Sequence, residues 1–191
     1  MKGWLNTVKG DIKVFQLVHN ANGLFKYLYH PDFRAVILFR ISQLLYHKRI
    51  TRPFAYLFTI LNDLVTGVWI GPRVQAGPGL FLGHPRGLVV NPSTVIGSYC
   101  SIMQRVTLGG GPHVTIGDYV EINAGAQVVS NARGVGQLNI GDNVIIGAGA
   151  VVVKDVPAQS VVVGVPAKVV KTIEPSDNWV EFRRERNKSN E

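Results

Sequence analysis

Residues 116–152 read IGDYVE INAGAQ VVSNAR GVGQLN IGDNVI IGAGAV V, and the spacing in sixes decides the fold. Ile116, Ile122, Val128, Ile140, Ile146 and Val152 open successive hexads, and only Gly134 breaks the series. Upstream, the same spacing runs through Ile70, Ala76, Leu82 and Leu88. It resumes after a two-residue slip at Ile96, Ile102 and Leu108, and a second slip precedes Ile116. Neither an α-helix nor an alternating strand has a period of six. One short strand plus one sharp turn has, and repetition stacks such units into a parallel β-helix whose inward aliphatic residues form continuous ladders. Val74, Val106, Val120, Ala126, Val144 and Ala150, four positions further on in their hexads, are expected to point inward near the corners. With the interior dry and apolar, chemistry is left to turns, protruding loops and clefts between coils.

The first third has another texture. Between Phe15 and Val65 apolar residues recur at helical spacing, and Pro31 and Pro53 stand where helices begin. Two or three helices are expected, ending near Thr66. The organisation is therefore an α-helical subdomain over 1–66, a β-helix over 67–173 and a charged tail over 174–191, which reads as a solvated helix or a disordered end. The chain is mainly β.

Charge follows this division. The 191 residues carry 20 Lys+Arg and 12 Asp+Glu, net +8, of which +6 lies in residues 1–66. Lys48, Arg49 and Arg52 flank apolar segments there. The pattern fits a solvated basic face or a peripheral contact with an anionic membrane surface. No nucleic-acid-binding motif accompanies the charge, so nucleic acid is not expected as a partner. The segment Met1 to Leu17 lacks the pattern of a secretory signal, and no apolar run is long enough to span a membrane, so a cytoplasmic location is expected. The single cysteine, Cys100, excludes an internal disulfide. It occupies an inward corner position and reads as core packing.

Three stretches carry a resemblance: Gly79-Leu80-Phe81-Leu82-Gly83-His84, Ser101 through Gly110 (Ser-Ile-Met-Gln-Arg-Val-Thr-Leu-Gly-Gly), and Val163-Gly164-Val165-Pro166-Ala167. With the helical segment Phe33 to Ile41, they resemble the hexapeptide-repeat acyltransferases, and within these the serine acetyltransferase-like branch. The resemblance implies a left-handed parallel β-helix, a homotrimer, and acetyl-coenzyme A bound between neighbouring subunits as co-substrate, with no metal. His84 matches the family's catalytic histidine, a general base for the acceptor hydroxyl. His113 matches its second active-site histidine. Gly110, Ala124 and Ala148 match positions that contact the coenzyme, and Lys168 and Lys171 are candidate contacts for its phosphates.

Departures from the pattern bear on the acceptor. Where serine acetyltransferases pair their histidine with an aspartate fifteen residues earlier, this chain has Trp69. The acid before the histidine is Gly83, and the arginine before the second histidine is Pro112. Burying an ammonium and a carboxylate without countercharges costs several kcal/mol each. An uncharged acceptor is therefore expected, a sugar or glycan intermediate as in capsule and exopolysaccharide O-acetyltransferases, with Trp69 stacking on the sugar ring and Arg133 near the acceptor. The alternative is a serine O-acetyltransferase of cysteine biosynthesis. A third reading, a non-catalytic or zinc-binding β-helix, is weaker. It asks for three histidines, yet only His84 and His113 lie in the repeats, while His19, His30 and His47 lie in the helical part.

Overall fold

A computed structural model describes residues 2–20, 24–109, 113–130 and 136–189. Helix α1 (Lys2–His19) is followed by α2 (Leu24–Tyr29), α3 (Pro31–Tyr46), a 3-10 turn (Arg49–Thr51) and α4 (Arg52–Thr66). Helices thus run from Lys2 to Thr66, within the span expected for the helical subdomain, and among the described residues there is one α-helix more than the upper expectation. In α1, Asp11, Val14 and Phe15 are buried at successive turns. Pro31 occupies the first turn of α3, where its missing N–H costs nothing. Helix α4 ends at Gly67, whose φ of 73° suits a residue without Cβ and whose N–H donates to Asp63 O at 2.8 Å. Asn62, fully buried, donates from Nδ2 to Ala35 O at 3.0 Å and so ties α4 to α3. The outer face of α4 leaves Phe54, Leu57, Ile60, Leu61 and Leu64 exposed. Among the described residues no helix is long and apolar enough to cross a membrane.

The repeats then coil. The first coil is β1 (Val68–Ile70), β2 (Gln75–Ala76) and β3 (Phe81–Gly83). The second is β4 (Leu88–Val90), β5 (Val95–Ile96) and β6 (Ser101–Met103). The third is β7 (Thr107–Gly109), β8 (His113–Ile116) and β9 (Glu121–Ile122). The fourth is β10 (Gln127–Val129), β11 (Gln137–Ile140) and β12 (Ile145–Ile146). The last is β13 (Val151–Val152), a bridge at Val156, and β14 (Ser160–Val163), against which β15 (Lys168–Thr172) folds back antiparallel. The strands form three parallel sheets, in orders β1-β4-β7-β10-β13, β11-β8-β5-β2 and β15-β14-β12-β9-β6-β3. The chain is therefore a parallel β-helix with a helical N-terminal region.

The aliphatic ladders form its core. Ile70, Leu82, Leu88, Ile102, Leu108, Ile122, Val128 and Ile146 are completely buried, as are the corner residues Val106, Val120, Ala126, Val144 and Ala150. Acidic turn residues add a second ladder outside: Asp118 Oδ1 accepts the Ser98 N–H at 2.6 Å, and Asp142 Oδ1 accepts the Asp118 N–H at 2.8 Å.

Register corrects the expected position of the first slip. Ile70 pairs with Val90 and Val90 with Leu108, so the two surplus residues lie between Leu82 and Val90, in the turn that carries His84. The second surplus lies between Leu108 and Ile116, in the segment that ends at His113. Ile116 pairs with Ile140, one hexad more than a three-hexad coil, and this surplus falls between β10 and β11.

The C-terminal segment is neither solvated throughout nor disordered. Helix α5 (Trp179–Lys188) is capped by Asn178, whose side chain accepts the N–H groups of Val180 and Glu181. Trp179 and Val180 are buried against Val14 and Phe81, Trp179 Nε1 donates to Tyr99 O at 2.7 Å, and Asn187 Nδ2 donates to Leu17 O at 2.9 Å. This helix closes one side of a cleft.

Candidate active site

The turn after β3 projects from the coil because it holds two residues more than a hexad needs. His84 sits in it at φ 48°, a left-handed conformation that histidine tolerates better than most residues. Its ring is exposed while Pro85 and Gly83 on either side are buried. His84 N–H donates to Asp32 Oδ1 at 3.2 Å, which reaches the turn from the first turn of α3. Among the described residues, none hydrogen-bonds the His84 imidazole.

His84 lines a cleft of about 640 Å³ between the third sheet, α1 and α5, shared with His19, Asp32, Glu121, Asn123 and Trp179. Asp32 is 3% exposed, and its Oδ2 lies 3.0 Å from His19 Nε2. Burial, together with the neighbouring His30, holds the His19 imidazole below its ordinary value of 6.5, while Asp32 pulls the other way. Burial pushes the Glu121 carboxyl above its ordinary range, against the pull of Arg183. The cleft thus gathers imidazole and carboxyl groups, the side-chain types that transfer protons to and from a substrate.

The same corner column continues upward from His84. Gln104, Ala124 and Ala148 occupy the equivalent turn on successive coils: Gly125 N–H donates to Gln104 O at 2.9 Å, and Gly149 N–H donates to Ala124 O at 2.9 Å. A Cβ built on Gly149 meets nothing within 4 Å, and one on Gly125 only the Gly149 nitrogen at 4.0 Å. Above Gln104 the edge is lined by Ala124, Gly125, Ala148 and Gly149, small residues that leave room for a long flexible ligand lying along it. Lys168 and Lys171 are exposed on β15, at the far end of the third sheet from His84.

Other candidates lie elsewhere. His113 opens β8 on a different corner and borders a second cleft, with Arg40, Gln43 and Arg73. One chain therefore does not bring His84 and His113 together. Trp69, 47% exposed on β1, lies in a small pocket with Tyr56, Ile60 and Pro92 rather than beside His84. Gly83 does border the His84 cleft, and a Cβ built on it would stand 2.6 Å from Met103 Sδ. Met103 fills the space a side chain at 83 would need. Gly110, Pro112 and Arg133 lie outside the described residues. Cys100 is buried, and burial pushes its thiol up to about 12, so it packs the core and supplies no thiolate.

Sequence reasoning did not single out His19, Asp32 or Glu121 for this cleft. Asp32 and His19 sit on helices, 52 and 65 residues before His84, and no local spacing connects them. Glu121 carried a signal: it is an acid at an outward strand position just before Ile122. His19, His30 and Asp32 also have ligand-type atoms within 4.8 Å of one another. Both Asp32 oxygens are hydrogen-bonded, one to His19 and the other to the His84 N–H, and the His30 ring lies beside that of His19.

No family model matches the chain. It is 39% identical over 155 residues to the serine acetyltransferase of Synechococcus elongatus, an alignment covering 78% of this chain and 61% of that protein. The structure of Neisseria gonorrhoeae serine acetyltransferase in complex with serine superposes with a TM-score of 0.76 at 37% identity, covering 88% of this chain and 69% of that one. A serine acetyltransferase in complex with CoA superposes at 0.77 with 30% identity, covering 88% and 70%. The chain belongs to the serine acetyltransferase family of hexapeptide-repeat proteins. It spans about 61% of the length of the Synechococcus relative. The expected closeness to capsule and exopolysaccharide enzymes finds no support, since these relatives are named serine acetyltransferases.

Proposed function

We propose that the protein is an acetyl-coenzyme A dependent O-acetyltransferase in which His84 is the general base. The observation that carries this reading is the exposed imidazole on an enlarged turn, at the foot of a smooth corner column, in a chain of this family. The acceptor hydroxyl attacks the thioester carbonyl carbon while His84 takes its proton. The tetrahedral intermediate then expels coenzyme A, and the imidazolium returns the proton to the leaving thiolate. Pantetheine lies along Ala124 and Ala148, with Lys168 and Lys171 toward its anionic end, and Gly110 is the third coenzyme residue that the family pattern assigns. The chain works as a homotrimer in which a neighbouring copy brings its own His113 corner to the His84 cleft, since one chain keeps the two histidines apart.

The relatives support serine as the acceptor better than a sugar. One observation favours the second reading, an uncharged hydroxyl such as that of a glycan intermediate. Gly83, which borders the His84 cleft, carries no acid for an ammonium group. A lipid-linked glycan, and with it a membrane contact of the basic N-terminal region, belongs to that second reading. Thiol release from acetyl-coenzyme A, measured with free serine and with nucleotide sugars, separates the two. Serine turnover that vanishes in His84→Ala supports the first; turnover with sugars alone moves the acceptor to the second. No thiol release with either refutes both acceptors.

A further inference from the structure

The helical region contributes more to the cleft than a wall. Asp32 is buried, and its two oxygens face two different imidazole-bearing segments: Oδ2 meets His19 Nε2 at 3.0 Å, and Oδ1 accepts the His84 N–H at 3.2 Å. His84 holds a left-handed backbone conformation, φ 48°, and the Asp32 contact is made to the backbone nitrogen of that residue. A carboxylate facing Nε2 fixes the proton of a neutral imidazole on Nε2 and leaves the lone pair on Nδ1. Trp69, which stands where a carboxylate partner for the histidine is expected, is in another pocket and carries no charge.

We infer that Asp32 is the positioning residue of the site, holding the His84 turn with one oxygen and orienting His19 with the other, and that His19 is a second hydrogen-bonding imidazole at the acceptor end of the cleft. The inference rests on the acetyl-transfer reading and adds to it where the acceptor is held. Substrate hydroxyl and its neighbouring polar group then meet two imidazoles, one from the repeats and one from α1. His30, whose ring centroid lies 4.2 Å from that of His19, faces it from the α2–α3 junction. Glu121 from the third sheet and Asp177, Arg183 and Glu185 from the C-terminal segment complete the charged lining.

The test uses the full chain and three variants, His19→Gln, Asp32→Asn and Asp32→Ala. Kinetics come from thiol release with the acceptor that the wild type uses. Long-range imidazole NMR reports the tautomer of His19, and a one-bond amide correlation spectrum follows the backbone N–H of His84. His19→Gln is expected to raise the acceptor KM by about tenfold, the loss of one hydrogen bond, with the acetyl-coenzyme A KM unchanged. Asp32→Ala is expected to lower kcat by about a hundredfold through misplacement of His84. The wild-type spectrum should show His19 protonated on Nε2, and Asp32→Asn should remove that preference and shift the His84 amide. If Asp32→Ala fails to fold, His19→Gln and Asp32→Asn still decide. Unchanged kinetics in both, or a wild-type His19 tautomer indifferent to Asp32→Asn, would overturn the inference, as would stoichiometric zinc bound by His19, His30 and Asp32. An enzyme that acetylates neither serine nor sugars sinks the acetyl-transfer reading, and the spectra then decide the positioning role alone.

Discussion

Arg40 joins the helical region to the coil, and Arg40→Met tests how much the joint contributes. The side chain is 1% exposed. Nε donates to Asp11 Oδ2 at 2.8 Å and Nη2 to Asp11 Oδ1 at 3.1 Å, which makes the pair bidentate. Nη1 donates to Ala76 O at 2.8 Å and to Gln43 Oε1 at 3.0 Å, and Nη2 to Gly77 O at 2.6 Å. Asp11 Oδ1 in turn accepts the Leu80 N–H at 2.9 Å. Methionine matches the stem but leaves the buried Asp11 carboxylate without its countercharge, with backbone N–H donors such as that of Leu80 still in place, and takes the guanidinium donor away from the Ala76 and Gly77 carbonyls. Removing one partner of a buried pair costs about 3–5 kcal/mol. For a chain of this size that corresponds to a fall in Tm of about 6–20 °C. Melting is followed by circular dichroism at one protein concentration, because assembly also stabilises. The sign of the pH dependence is fixed. Burial pushes the Asp11 carboxyl up while Arg40 pulls it down. Without Arg40 its folded value rises further above the unfolded one. Stability of the variant then improves as pH falls from 7 towards the ordinary carboxylate range, and its deficit against wild type narrows. Asp11→Leu combined with Arg40→Met should recover part of the loss, since no charge is left stranded. An Arg40→Met protein that melts within about 2 °C of wild type at pH 7 would refute the reasoning, because even the lower bound of that cost exceeds this shift.

Other perturbations separate catalysis from stability. His84→Ala should lower the rate of acetyl transfer by about 10²–10⁴ with the fold retained, since the residue is outside the core; thiol release and a cooperative thermal melt on the same preparation check both halves. Burial raises the folded value of Glu121 above 4.5, so its ionised form costs stability that is lost as pH rises through that folded value. Glu121→Gln should therefore melt higher than wild type at pH 7, and the advantage should disappear below about pH 4, as read from melts across pH 4–8. Gly117→Ala places a Cβ 2.2 Å from Asp142 Oδ1, the acceptor of the Asp118 N–H, and should destabilise by about 1–3 kcal/mol in urea unfolding.

What the sequence discloses and what it hides have separate physical causes. A β-helix writes its register locally, because each six-residue unit must put one aliphatic residue inward, so Ile116, Ile122 and Val128 name their own places without reference to anything distant. The first slip is ambiguous in the sequence for an equally local reason. Leu88 and Val90 stand two apart in β4, both point inward, and either completes a hexad; only pairing with Ile70 and Leu108 selects Val90. Helix α5 was obscured because the charges from Glu181 to Arg186 dominate its composition, while the two residues that anchor it, Trp179 and Val180, stand together at its start and show no period. The site is different in kind. The His84 turn was legible as a break in the period, yet Asp32 and His19 reach it from helices whose own patterns record only how they pack on the coil. The Arg40–Asp11 joint sets that packing, so the groups nearest His84 are placed by contacts that no repeat encodes. Family members with nearly identical coils can therefore differ at the acceptor end of the cleft, and the helical region is where substitutions that change the acceptor should be sought.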